Sequence, residues 1–292
     1  MHASPFVVGV GASAGGLEAL EQFFAEMPPD TGAAFVVVQH LSPDFKSVMD
    51  ELLARRTKIP VTLVEDGVTV EPNHIYLIPP KKEMIIAGGR LLLSDKGTHH
   101  ELALPIDIFF RSLAQDVGER AIGVVLSGGG SDGSRGIRDI HEAGGLVVCQ
   151  DEATAAFDGM PRSARDTGIV DHVVPPGEMP RIVVNHIKRP EGAREMAHVE
   201  TAPARGITAI FRLLHKAFGI DFSNYKPNTV ARRIERRLNL GPAIDFDTYV
   251  DRLGNDPVEL DALYRDLLIG VTRFFRDEEV FQLLERTVVP KI

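Results

Sequence analysis

The stretch Phe6-Val7-Val8-Gly9-Val10-Gly11-Ala12-Ser13-Ala14-Gly15-Gly16-Leu17 decides the fold. An apolar run ends in glycine-rich sequence, and Leu17, Leu20, Phe23 and Phe24 then recur at helical spacing, so the segment reads as strand, tight turn and helix. Working outward, Phe35 to Val38 forms a second β-branched run that stops at Gln39-His40, and Val48, Leu52 and Leu53 mark another helix. Between Val61 and Leu93 the pattern changes to short stretches (Val61-Leu63, Ile75-Leu77, Met84-Ile86, Leu91-Leu93) separated by Asp66-Gly67, Pro79-Pro80 and Gly88-Gly89. These predict antiparallel hairpins inserted after the second unit. Helical spacing returns at Ile108, Phe109 and Leu113. A strand at Ala121-Leu126 follows, then a glycine-rich turn, a helix around Ile137-Ile140, and strands at Leu146-Val148 and near His172-Val174. Strands alternating with helices predict an α/β fold, a doubly wound and mostly parallel Rossmann-like sheet.

At about 150 residues per domain, a chain of 292 residues holds two domains rather than one. From Lys188 to Arg205 the pattern lapses into Lys-Arg-Pro-Glu-Gly and Thr-Ala-Pro-Ala, which is linker chemistry. The expected division is a domain at 1–187, a linker at 188–205 and a small all-α domain at 206–292. Five short helices are expected in the last, marked by Ile210 to Leu214, Val230 to Leu238, Tyr249 to Leu253, Leu260 to Leu268 and Phe274 to Leu284. Apolar and charged fractions of 44% and 25% are those of ordinary globular chains, so disorder is not the default expectation. No apolar run approaches the roughly 18 residues that cross a bilayer. A net charge of −9 argues against bulk nucleic-acid binding. The single cysteine, Cys149, has no internal disulfide partner and follows Leu146-Val147-Val148, where a small buried hydrophobe belongs. With no basic segment at Met-His-Ala-Ser-Pro, the expectation is a cytoplasmic protein without membrane insertion.

Gly11-Ala12-Ser13-Ala14-Gly15 fits G-x-S-x-G, the strained strand-to-helix turn that exposes a serine hydroxyl at a sheet edge. A serine entering a helix is also a common N-cap. Gly9 and Gly11 fit the first half of a dinucleotide fingerprint as well, but the second strand ends in Gln39-His40 and offers no carboxylate for a ribose hydroxyl. His40 lies at the carboxyl end of a strand, which borders the ligand crevice in a doubly wound sheet, and is placed to be a base. Asp132 sits in Ser127-Gly128-Gly129-Gly130-Ser131-Asp132-Gly133, directly after another strand. Alone, that turn reads as an anion nest or an Asx-turn. The coincidence of a nucleophile, a base and an acid after three different strands is what points to a Ser-His-Asp triad. Asp151 and Glu152, after the next strand, are the alternative acids. The order Ser-His-Asp and a serine after the first strand both differ from the α/β-hydrolase arrangement.

Gly11-Ala12-Ser13-Ala14-Gly15-Gly16, Gln39-His40-Leu41-Ser42-Pro43, Gly130-Ser131-Asp132-Gly133, and Gln150-Asp151-Glu152-Ala153-Thr154 with Gly159-Met160-Pro161 together resemble the CheB family of chemotaxis protein-glutamate methylesterases over roughly residues 5 to 187. The resemblance implies hydrolysis of glutamate γ-methyl esters on methylated chemoreceptors or similar helical signalling proteins, often with glutamine deamidation, by Ser13, His40 and Asp132. No cofactor or metal is implied for that reaction. Ala14 stands where the family usually has threonine, and Gly129 where it usually has methionine. These departures keep open a catalytically degenerate binding module as the alternative. The family's receiver domain is not seen ahead of Pro5. From about residue 206 the chain resembles the N-terminal helical domain of CheR receptor methyltransferases, through Tyr225-Lys226, Arg232-Arg233-Ile234-Glu235-Arg236-Arg237-Leu238 and Val271-Thr272-Arg273-Phe274-Phe275-Arg276-Asp277. With Val230, Ile234 and Leu238 inward, Arg232 and Arg236 are expected to face outward, flanked by Arg233 and Arg237. The resemblance makes this basic helix a dock for acidic receptor helices, and makes Thr272 and Arg276 part of an S-adenosylmethionine site. The sequence stops at Ile292, before the expected methyl-donor domain, so it reads as the front of a CheB–CheR fusion.

Overall fold

Strand β1 (Val7–Ala12) is buried at every position and stands in the middle of a seven-stranded sheet. The computed structural model describes residues 5–40, 49–95, 104–188, 204–222, 225, 227–240 and 245–268. The remaining strands of this sheet are β2 (Ala34–Gln39), β3 (Val61–Leu63), β5 (Ile75–Leu77), β8 (Ala121–Val125), β9 (Leu146–Gln150) and β10 (His172–Val174), in the order β10-β9-β8-β1-β2-β5-β3, all parallel. The chain builds outward from β1 to one edge and returns to β8 on its other side. The strand order therefore reverses between β1 and β8, and a crevice opens there at the carboxyl ends of the strands.

Alternate residues of the strands feed two apolar layers, as the two-residue period of a strand requires. Val8, Val10, Phe35, Val37, Ile122 and Val124 face the layer that holds Leu20, Phe23 and Phe24 of α1 (Gly16–Ala25), Leu53 of α2 (Met49–Ala54) and Met179 and Val183 of α6 (Met179–Ile187). Val7, Val36, Val38, Ala121, Val125 and Cys149 face the other. That side is covered by α3 (Pro105–Val117), α4 (Gly136–Glu142) and α5 (Gly159–Arg165). Glycines line its centre. A Cβ at Gly9 would lie 2.9 Å from the Phe110 ring, one at Gly11 2.5 Å from Ile106 Cγ2, and one at Gly123 2.8 Å from Ile140 Cδ1. Only hydrogen fits beneath these helices. The Gly9–Gly11 pair is therefore used for close helix–sheet packing.

The inserted region is only partly what its pattern predicts. β4 (Val68–Thr69), β6 (Lys82–Ala87) and β7 (Arg90–Asp95) form a three-stranded antiparallel sheet, and Met84, Ile86 and Leu91 pack it onto the α3 side of the core. Val61–Leu63 and Ile75–Leu77, expected in hairpins, instead extend the main sheet in parallel. Runs of three residues carry no usable period, and Ile75–Leu77 is set between Val61–Leu63 and β2, a strand far away in sequence. The C-terminal segment has a separate apolar core of Ile210, Leu214, Val230, Ile234, Tyr249, Leu253, Leu263 and neighbours, drawn from the helices Ala204–Phe218, Pro227–Leu240, Phe246–Asn255 and Pro257–Leu267, with Phe222 added from the segment after the first. The fifth expected helix, around Phe274 to Leu284, lies outside the described residues. No helix among the described residues is long and apolar enough to cross a membrane.

Two outcomes follow from this packing. Gly11→Ala drives a methyl group into Ile106 Cγ2 and lowers stability by about 1–3 kcal/mol, measured by denaturant unfolding, and Ile106→Ala, which removes that carbon, is expected to cost less in the Gly11→Ala background than alone. Burial pushes the Cys149 thiol up to about 12, so the native chain stays unreactive toward a thiol reagent at pH 8 and releases one thiol on unfolding.

Candidate active site

β1 carries Ser13 out of the sheet at its carboxyl end, and the turn into α1 is closed by Gly15 in the left-handed region at φ 68°. A side chain at Gly15 would also meet Ala156 Cβ at 2.6 Å and Ser127 Oγ at 2.8 Å, so glycine is required on both counts. The Ser13 N–H donates to Ser127 O at 3.0 Å, and Gly16 N–H donates back to Ser13 O at 2.9 Å. The buried Ser127 hydroxyl donates to Ala14 O at 3.0 Å and accepts from Phe157 N–H at 3.0 Å. Behind it, Gln150 Oε1 accepts from Ser127 N–H at 2.8 Å while Gln150 Nε2 donates to Thr154 O at 3.0 Å. Ser127 and Gln150 were not singled out from the sequence. Their available signal was a polar residue at the very end of a fully buried strand, where an unpaired group is costly.

Pairing of Ala12 with Gln39 at the ends of β1 and β2 brings His40 beside Ser13. Ser13 Oγ lies 3.1 Å from His40 Nδ1, and His40 Nε2 lies 2.9 Å from Asp132 Oδ2. The His40 side chain is about a third exposed, at 31%, whereas Asp132 is 2% exposed. Asp132 is an acceptor throughout. Its Oδ2 also takes Ile106 N–H at 3.0 Å, and its Oδ1 takes Asp107 N–H and Gly133 N–H, each at 2.9 Å. The first-turn N–H groups of a helix have no partners inside it, and Pro105 opens α3 where the N–H would be spare. The positive end of α3 thus meets the carboxylate. With Asp132 accepting at Nε2, a neutral imidazole carries its proton there and leaves Nδ1 as the acceptor for the serine hydroxyl.

Asp107 extends the network without touching His40. Its Oδ1 accepts from Arg135 N–H at 2.9 Å and Gly136 N–H at 2.7 Å, which holds the start of α4 against α3. Burial pushes its carboxyl above the ordinary range against the Gly136 hydrogen bond, and the charge of Asp132 pushes the same way. The alternative acids are used elsewhere: Asp151 accepts from Ala153 N–H at 2.9 Å, and Glu152 pairs with Arg165 at 2.5 Å. Gly128 lets Ser13 approach, since a Cβ there would meet Met160 and lie 2.8 Å from Ser13 Cβ. Gly129 faces open space. Phe157 is exposed beside Gly15 and gives the cleft an apolar lip.

The arginine helix differs from its expected orientation. Arg236, expected to point outward, is buried between Asp171, at 2.6 Å, and Asp266, at 2.9 Å. Arg237 makes a forked pair with Glu259, at 2.9 and 2.7 Å. Arg233 donates to His141 O at 3.1 Å. A single hydrophobic stripe could not reveal a second packing surface on the same helix. The side chain of Arg232 and both Thr272 and Arg276 lie outside the described residues.

Residues 8–183 match the family described as CheB methylesterase, and residues 205–268 match the one described as CheR methyltransferase, all-alpha domain. The chain is 39% identical over 267 residues to an uncharacterized 104.1 kDa protein of Rhodobacter capsulatus, covering 84% of this chain and 28% of that one. It is 34% identical over 200 residues to a Pyrococcus abyssi protein-glutamate methylesterase/protein-glutamine glutaminase, covering 67% of this chain and 54% of that one. The crystal structure of the Thermotoga maritima CheB methylesterase catalytic domain superposes with a TM-score of 0.57 at 29% identity, over 62% of this chain and 98% of that one. This chain spans about half or less of the length of these curated relatives. Because the first match takes in more than half of its residues, the chain belongs to the CheB methylesterase family and carries a CheR all-α domain behind the esterase domain.

Proposed function

We propose that the chain hydrolyses γ-carboxyl methyl esters on glutamate side chains of a methylated chemoreceptor or similar helical signalling protein, with Ser13 as nucleophile, His40 as base and Asp132 as its orienting acid. The observation that carries this reading is the unbroken line Ser13 Oγ, His40 Nδ1, His40 Nε2, Asp132 Oδ2, with separations of 3.1 and 2.9 Å across its two hydrogen bonds. The family and its members named protein-glutamate methylesterase/protein-glutamine glutaminase support the substrate class.

Serine alkoxide is inaccessible at neutral pH, so the proton leaves Ser13 Oγ for His40 Nδ1 as the oxygen attacks the ester carbonyl. The imidazolium that forms is stabilised by Asp132, whose carboxylate is held in place by three backbone N–H groups. The proton then passes to the departing methoxide, giving methanol and a glutamyl ester of Ser13. Water activated by His40 releases the glutamate and restores the serine. A glutamine side chain follows the same path with ammonia leaving. In this reading the Ala14 N–H, which follows the nucleophile directly and has no acceptor among the described residues, donates to the developing oxyanion.

Ser13→Ala is expected to abolish methanol release from a methylated receptor while leaving the circular dichroism spectrum unchanged; release at the wild-type rate would sink the assignment. Asp132→Asn forces the wrong tautomer on His40 and lowers kcat by roughly 10³–10⁴-fold. Ser127→Ala loosens the turn that carries the nucleophile. It is expected to reduce kcat by about 10–100-fold with little change in KM, in line with small misplacements of a reacting group.

A further inference from the structure

Helix Pro227–Leu240 has two packing faces. Val230, Ile234 and Leu238 are buried in the core of the helical module, and Arg237 turns to Glu259 within that module. Arg233, Arg236 and Leu240, spaced three and four apart, share a second stripe. All three meet the esterase domain. Arg233 donates to His141 O at 3.1 Å, at the carboxyl end of α4. Arg236 donates to Gly145 O at 3.3 Å and reaches both oxygens of Asp171, at 2.8 and 2.6 Å. Leu240 packs against the apolar layer that includes Leu146, Met179 and Val183. Asp266 of the helical module takes the remaining side of the Arg236 guanidinium at 2.9 Å, so one cation ties carboxylates from two domains.

We infer that this helix is a clamp that holds the helical module onto the esterase domain of the same chain, with Arg236 as its pin, at the rim of the sheet away from the triad. The placement follows from strand direction. Gly145 and Asp171 immediately precede β9 and β10, at the amino ends of parallel strands, whereas Ser13, His40 and Asp132 follow the carboxyl ends of β1, β2 and β8. The clamp therefore leaves the cleft open to a large helical substrate. Its polar part acts as a selector. A buried ion pair adds little net stability, but docking the two surfaces in any other register would bury Asp171 or Arg236 without its partner, so only one mating surface is acceptable. The arginines meet two backbone carbonyls at the end of α4 and the turn after it, where a helix dipole favours cations. Burial together with the charges of Arg236 and Arg233 pushes the neighbouring His141 imidazole down to about 2, so His141 adds no competing positive charge to the interface near neutral pH. Arg236 is committed to its own chain rather than presented to an acidic partner helix.

Small-angle scattering of the whole chain tests the clamp without reference to activity. The wild type is expected to scatter as one compact particle, and Arg236→Gln and Leu240→Asp to show a larger radius of gyration with two separate calorimetric transitions. Leu240 is outside the helical module's own core, so Leu240→Asp reports on docking even where Arg236→Gln fails to fold. A wild type already as extended as the variants, or a Leu240→Asp chain as compact as the wild type, overturns the clamp. Methyl-ester hydrolysis is expected to stay at the wild-type rate in Leu240→Asp; its loss on undocking would overturn the placement of the helical module away from the cleft.

Discussion

Helix α3 lies so close to the middle of the sheet that β1 and β8 carry glycine beneath it and beneath its neighbour α4. That approach is what brings the free N–H groups of Ile106 and Asp107 within hydrogen-bond distance of Asp132. Asp132 in turn sets the His40 ring, and the ring offers Nδ1 to Ser13. Packing and electrostatics are therefore one constraint here: a methyl group added under α3 displaces the same helix terminus that holds the acid.

The serine side is held by a separate set of hydrogen bonds. Ser127 uses its carbonyl, its amide and its hydroxyl, binding Ser13, Gln150, Ala14 and Phe157 in turn. Gln150 closes the set by satisfying Thr154. Buried polar groups carry a desolvation cost unless every donor and acceptor is met, and these are met in one geometry. The nucleophile and the acid thus arrive from two independent scaffolds and meet across the switch point between β1 and β8. Ala14 enters the serine-side set through its backbone carbonyl alone, and Gly129 faces open space outside it.

Much of this was legible in the residues. The alternation of apolar runs with helical spacing pointed to a parallel sheet, and the three polar residues that end β1, β2 and the turn after β8 stood out because each follows a strand. Val61–Leu63 and Ile75–Leu77 were illegible, because a three-residue run has the same appearance in a hairpin and in an edge of the main sheet. Arg236 was illegible for a different reason. Helical spacing assigns one buried stripe, and a second stripe of arginines looks like a solvated face until the carboxylates that neutralise it are found on distant segments.

By itself the sequence determined most of the strands and helices, though not β4, α5 or α6, that glycines must crowd the first turn, and which side chains could supply a nucleophile, a base and an acid. These are properties of short windows, where period and residue type are sufficient. Tertiary structure alone decided that the ring faces serine through Nδ1, that the amino end of α3 holds the acid, and that Arg236 is an internal pin. Each of those depends on the distance between segments far apart in the chain, and a linear pattern carries no information on that distance until the sheet is assembled.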